Sequence, residues 1–172
     1  MSGLEKKIKN RLMRDIRVIK QSPVQGIHLE FDPENMFMWY FIIEGSEGTP
    51  FENGFYFGKI VLSNNYPYSP PTVSMITPNG RFEPNKSICF SYTKFHPELW
   101  SPSLNPSHVA LGLMSFMNDF KDRGVGCISS SESQMKQLAL SSIEFNLNEP
   151  IVASLFPDVM TVMKDQQLKQ KN

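Results

Sequence analysis

The stretch MFMWYFIIEGSEGTPFENGFYFGKIVLSNNYPYSPPTVSMIT, residues 36–77, decides the fold class. Residues 36–43 are a dense aromatic and β-branched run, the composition of a central strand buried on both faces. Residues 54–62 alternate, with Phe55, Phe57 and Val61 on one parity. Residues 72–77 form a short further run, and residues 24–31, just upstream, alternate loosely. The connectors Asp32-Pro33-Glu34-Asn35, 45–50 and Asn64-Asn65-Tyr66-Pro67 have turn compositions, and the first two are short enough for hairpins. The prediction is a four-stranded antiparallel meander.

Helices flank it. Leu4, Ile8, Leu12, Ile16 and Ile19 recur every three or four residues, so residues 4–20 read as a helix with one apolar stripe, stopped by Gln21-Ser22-Pro23. Asn105 can cap, and Pro106 can open, a helix to Met117. That segment is apolar on all sides, which predicts deep burial. Ser131-Glu132-Ser133-Gln134 has capping-box spacing and opens a helix to Leu147. Pro150 opens another, and Pro157 breaks it and starts a last one to Gln170. Strands first and helices later indicate an α+β class, with the helices packed on one face of the sheet.

Between sheet and helices, residues 78–104 show little periodicity. A structureless stretch of that length is functional or disordered. Disorder conflicts with Phe82, Ile88, Phe90, Tyr92, Phe95, Leu99 and Trp100, so an ordered, aromatic-anchored loop is expected. Eight of the thirteen prolines fall between Pro67 and Pro106 and would stiffen it.

Composition narrows the function. The chain has 172 residues, with seventeen basic and seventeen acidic side chains, a balance that argues against a nucleic-acid binder. The zero hides polarity: residues 1–20 carry seven basic groups against two acids, and residues 21–58 carry six acids and no Lys or Arg. Cys89 and Cys127 are too few for a disulfide framework or a four-sulfur zinc site. No apolar run reaches the roughly 18 residues of a membrane span, and the basic N-terminus lacks the apolar core of a secretory signal. One soluble, intracellular domain is expected, without metal or cofactor.

Cys89 lies in the ordered loop, where it could be a nucleophile or a small core residue. His96 follows seven residues later, so a Cys–His pair is one reading and a turn histidine the other. Cys127, in a glycine-rich loop, reads as incidental, and His28 and His108 as structural.

Several strings in order resemble the ubiquitin-conjugating enzymes. Thr49-Pro50-Phe51-Glu52-Asn53-Gly54-Phe55-Tyr56 resembles their TPYEGGxF segment, Asn65-Tyr66-Pro67-Tyr68-Ser69-Pro70-Pro71 their YPFxPP loop, and Ser87-Ile88-Cys89-Phe90 the GxICL string that holds the active cysteine. Thr77-Pro78-Asn79-Gly80-Arg81-Phe82 stands where they carry HPN, and Trp100-Ser101-Pro102-Ser103 resembles WSPA. The resemblance covers residues 4–165. Thr77 departs from the family's His, and Phe95-His96-Pro97-Glu98-Leu99-Trp100 is inserted. These features resemble the J-type, tail-anchored endoplasmic-reticulum branch, whose C-terminal membrane helix is not among residues 1–172.

The resemblance implies a ubiquitin-conjugating fold and ubiquitin carried as a thioester on Cys89, for transfer to a substrate lysine or a Ser/Thr hydroxyl. It implies an activating enzyme and a ubiquitin ligase as partners, docking on Arg11, Arg14, Tyr68, Ser101 and Pro102. Membrane attachment would come only through the anchor. Asn79 is implied as an oxyanion donor or as the holder of the loop. His96 is the candidate for tuning the acceptor, and Asn118, Asp119 and Asp122 are candidates to flank the cysteine. Competing readings are a non-catalytic module of the same fold and a Cys89–His96 hydrolase. The hydrolase lacks an evident third residue to orient the histidine.

Overall fold

The computed structural model describes residues 1–172. Helix α1 (Gly3–Gln21) starts at a reciprocal cap: Ser2 Oγ accepts the Glu5 N–H at 3.2 Å and the Glu5 carboxylate accepts the Ser2 N–H at 2.6 Å. Strands β1 (Ile27–Asp32), β2 (Asn35–Glu44), β3 (Phe55–Val61) and β4 (Thr72–Met75) pair in sequence order, each antiparallel to the next. Then come α2 (Pro106–Met117), α3 (Glu132–Leu147), α4 (Pro150–Leu155) and α5 (Pro157–Lys171). The meander and the proline- and cap-defined helix starts match the sequence reading.

The helices are not all on one face. Alternation along β2 sends Trp39, Phe41 and Ile43 into one core with Ile8, Leu12, Ile16 and Ile19 of α1 and Val109, Ala110 and Leu113 of α2. It sends Ile42 into a second core with Ile143 of α3, Val152 of α4, and Val159 and Met163 of α5. The register maintains the split, since Ile43 pairs with Tyr56 of the first core and Ile42 with Phe57 of the second. A Cβ on Gly58, opposite Phe41, would overlap that ring and lie 2.6 Å from the Ser74 carbonyl oxygen. Two further expectations change. Leu4 is exposed, because α1 begins beyond the edge of the core, and α2 turns Leu111 outward rather than being buried all round.

The loop after β4 stays on the sheet. Asn85, Ile88 and Lys94 donate their backbone N–H groups to the carbonyls of Met75 (2.7 Å), Val73 (2.9 Å) and Pro71 (2.9 Å), and Ser74 and Ser87 form an antiparallel bridge. The loop therefore covers the outer edge of β4 as an interrupted fifth strand.

Its start is fixed by a buried polar group. Thr77 is fully buried; its hydroxyl donates to Asn146 Oδ1 of α3 at 2.6 Å and accepts the Phe57 N–H of β3 at 2.9 Å. Asn146 Nδ2 donates in turn to the Phe55 carbonyl at 2.8 Å. Thr77→Val keeps the shape but strands the Phe57 N–H and Asn146 Oδ1, which should lower stability by about 1–3 kcal/mol. Urea unfolding checks this, as a lower midpoint at unchanged slope.

Candidate active site

Ile88 and Phe90 point into the first core, so the half-buried Cys89 between them points away from it. Its N–H donates to the Val125 carbonyl at 2.9 Å. Cys89 Sγ lies 3.2 Å from His96 Nε2, and His96 Nδ1 lies 3.0 Å from Glu98 Oε1. Two short turns set this spacing. The Thr93 hydroxyl donates to the Phe90 carbonyl at 2.9 Å, and the His96 N–H donates to the Thr93 carbonyl at 2.9 Å. A single 3-10 turn, Pro97–Leu99, then brings Glu98 back to the ring.

The order nucleophile, imidazole, carboxylate can move a proton. If Nδ1 carries its hydrogen towards Glu98, Nε2 is left as the acceptor facing Cys89. Glu98's own backbone N–H, and then the His96 ring, hold its carboxyl below the usual carboxylate range, so it is charged at neutral pH. Sequence reasoning missed Glu98. The available signal was an acid two residues beyond His96 with only a proline between them.

Asn79 is committed to its own loop. Nδ2 donates to the carbonyls of Thr77 (2.9 Å) and Phe82 (3.2 Å), while Oδ1 accepts the N–H groups of Arg81 (2.8 Å) and Phe82 (2.7 Å). Both amide hydrogens are used and the residue is buried, so this arrangement holds the loop and offers no free oxyanion donor. Asn118 is also tied back, donating to Ser46 Oγ and the Met114 carbonyl, each at 3.0 Å. Asp119 and Asp122, with Phe90, Tyr92 and Leu111, line an open groove of ≈ 450 Å³ beside the Cys89 loop. Gly124 closes the other side; a Cβ there would lie 3.2 Å from Cys89 Cβ and 3.5 Å from Sγ.

Arg11 is not the free docking cation expected. Its guanidinium bonds Asp15 at 2.8 and 3.0 Å, the Leu104 carbonyl at 2.8 Å and the Pro102 carbonyl, and its side chain is only 12% exposed. Asp15 also accepts the Tyr66 hydroxyl at 2.7 Å, so α1 is tied to two loops at one junction. Burial and Asp15 together push the Tyr66 hydroxyl well above its ordinary value. Arg14 and Tyr68, by contrast, stand in solvent, at 61% and 64% exposure. Cys127 packs partly buried against the first core and bridges Phe82, while His108 accepts the Asn105 N–H in the α2 cap and His28 bonds Glu44.

Residues 11–136 match the family described as ubiquitin-conjugating enzyme. The chain belongs to that family. Among ubiquitin-conjugating enzymes it is 41% identical to the human "Ubiquitin-conjugating enzyme E2 J2" over 160 residues, which is 93% of this chain and 61% of the relative. It is 40% identical to "Ubiquitin-conjugating enzyme E2 34" of Arabidopsis thaliana over 167 residues, covering 97% and 70%. The chain thus spans less than two thirds of the length of the mammalian J2 relatives. A crystal structure of a candidate ubiquitin-conjugating enzyme from Plasmodium yoelii superimposes with a TM-score of 0.56 at 30% identity, covering 66% of this chain and 74% of that one. No helix is long and apolar enough to cross a membrane.

If His96 accepts the thiol proton, His96→Ala should slow alkylation of Cys89 by iodoacetamide several-fold at neutral pH. Peptide mass spectrometry resolves Cys89 from Cys127, and an unchanged rate at Cys89 would remove the pairing.

Proposed function

We propose that the chain accepts ubiquitin from an activating enzyme as a thioester on Cys89 and, with a ubiquitin ligase, passes it to a protein substrate. The observation that carries this reading is the 3.2 Å contact of Cys89 Sγ with His96 Nε2 in a member of the family. In the first step the Cys89 thiolate attacks the carbonyl of ubiquitin's C-terminal thioester, and the activating enzyme's thiolate leaves. In the second a substrate amine attacks the Cys89 thioester, the Cys89 thiolate leaves, and His96 can take the surplus proton. A base held by a carboxylate also suits Ser/Thr hydroxyl acceptors, which are poor nucleophiles unless a base takes their proton as the oxygen attacks. The likeness to J-type enzymes supports a role in endoplasmic-reticulum-associated degradation. Asn79 serves here as the holder of the loop.

The partners would dock on Arg14, Tyr68, Ser101 and Pro102, with Arg11 supporting the Ser101–Pro102 loop from behind. Glu98 lends some weight to the hydrolase reading, because it supplies the orienting third residue. That reaction would need neither ATP nor an activating enzyme.

Incubation with activating enzyme, ATP and ubiquitin separates the readings on a non-reducing gel. The expected product is a thiol-sensitive adduct of one ubiquitin mass, absent from Cys89→Ala. No adduct would leave the binding module, and cleavage of a ubiquitin ester without ATP would leave the hydrolase. Arg14→Glu should slow this charging severalfold at low salt and less at high salt, because salt screens exposed charges over a Debye length of about 10 Å at 0.1 M. Initial rates at two salt concentrations check it.

A further inference from the structure

Arg81 is 3% exposed, yet it forms no ion pair. A buried cation is costly unless other groups replace its water. Here Nη2 lies within hydrogen-bond distance of three carbonyls, those of Phe116 (3.3 Å), Asp119 (2.9 Å) and Asp122 (2.8 Å). The guanidinium also lies over the rings of Phe82, Phe116 and Phe120, at 5.0, 4.8 and 5.8 Å from their centroids. The carbonyls come from the last turn of α2 and the turn after it, where the helix dipole is negative. Nε remains buried without a partner.

This side chain joins the two walls of the Cys89 site. Its backbone N–H is held by Asn79 Oδ1, so its origin is fixed in the loop that follows β4. Its head holds the turn that runs from Asp119 through Asp122 to Gly124, which packs on Cys89, and to Val125, which accepts the Cys89 N–H. Asp119 and Asp122 also line the groove beside residues 90–92, which follow Cys89 directly.

We propose that Arg81 is a positioning residue for acyl transfer: by clamping the 119–125 turn it sets the width of the opening through which an acceptor reaches the Cys89 thioester. This rests on the thioester reading above. Displacing a site wall by about 1 Å can cost about 100-fold in rate without a change in the reacting groups.

The test is single-turnover discharge of ubiquitin-charged enzyme to free lysine, with the charged fraction at equilibrium as a control. Arg81→Ala should charge to the wild-type extent and discharge about 10- to 100-fold more slowly. Methylguanidinium, which fits the vacated space among Phe82, Phe116 and Phe120, should restore the rate saturably in Arg81→Ala and leave wild type unchanged. A general loss of fold would lower the charged fraction as well, which is held as the control. Should Arg81→Ala fail to fold, Arg81→Lys keeps the charge and stem but loses the planar fork, and its discharge should fall about fivefold or more. Discharge within about twofold of wild type in either folded variant, or slow discharge of Arg81→Ala that methylguanidinium does not restore, would overturn the proposal. If wild type itself never charges, the thioester reading fails and this proposal falls with it; normal wild-type charging isolates the test to Arg81.

Discussion

The hydroxyl of Thr77 is the point from which the site is built. Thr77 stands just beyond the end of β4, bonded on one side to β3 and on the other to α3. A hydroxyl is suited to this because it donates and accepts at once. Asn146 requires a donor at its Oδ1, and the Phe57 N–H requires an acceptor. With Thr77 seated, Asn79 is carried to the spot where its amide closes the next turn, and Arg81 follows it into the aromatic slot. The departure from the family's His therefore belongs to a coherent local solution, in which the loop is anchored through the interior.

A second junction works at the opposite end of the loop. Asp15, Arg11 and Tyr66 bind one another, and Arg11 reaches the carbonyls of Pro102 and Leu104. Because Asp15 is buried while six of the seven basic residues of α1 remain in solvent, the helix has two electrical characters. Its inner pair is structural, and its outer cations are available to a partner. The residues 102–104 that it holds lie only a few positions beyond His96 and Glu98, so the loop is fixed both before and after Cys89.

Much of this was legible in the sequence, and the parts that were not share a cause. Helix starts at Pro106, Ser131, Pro150 and Pro157 are local signals, as is the period of Ile8, Leu12, Ile16 and Ile19. Cys89 stood out by its motif string, whereas its pairing with His96 was one of two readings of their spacing. The division of the helices between two faces was not local, although the run 36–43, read as a strand buried on both faces, already called for cover on each side. Arg11 looked solvated because the carbonyls it binds lie 91 and 93 residues away. Arg81 was overlooked for the same reason: its partners lie 35 to 41 residues downstream and are backbone oxygens, which have no signature in side-chain composition. Asn79 could be read as either donor or holder until its four bonds were seen.

The loop that carries Cys89 also lies along the outer edge of β4. An unpaired strand edge is a template for joining other chains, and here the segment that bears Cys89 is itself the cover. Wide opening of this loop would break ladder-like bonds and expose β4 to intermolecular pairing. The constraint against aggregation therefore falls on the residues that flank Cys89, and it favours a segment that stays seated on the sheet rather than one that swings aside.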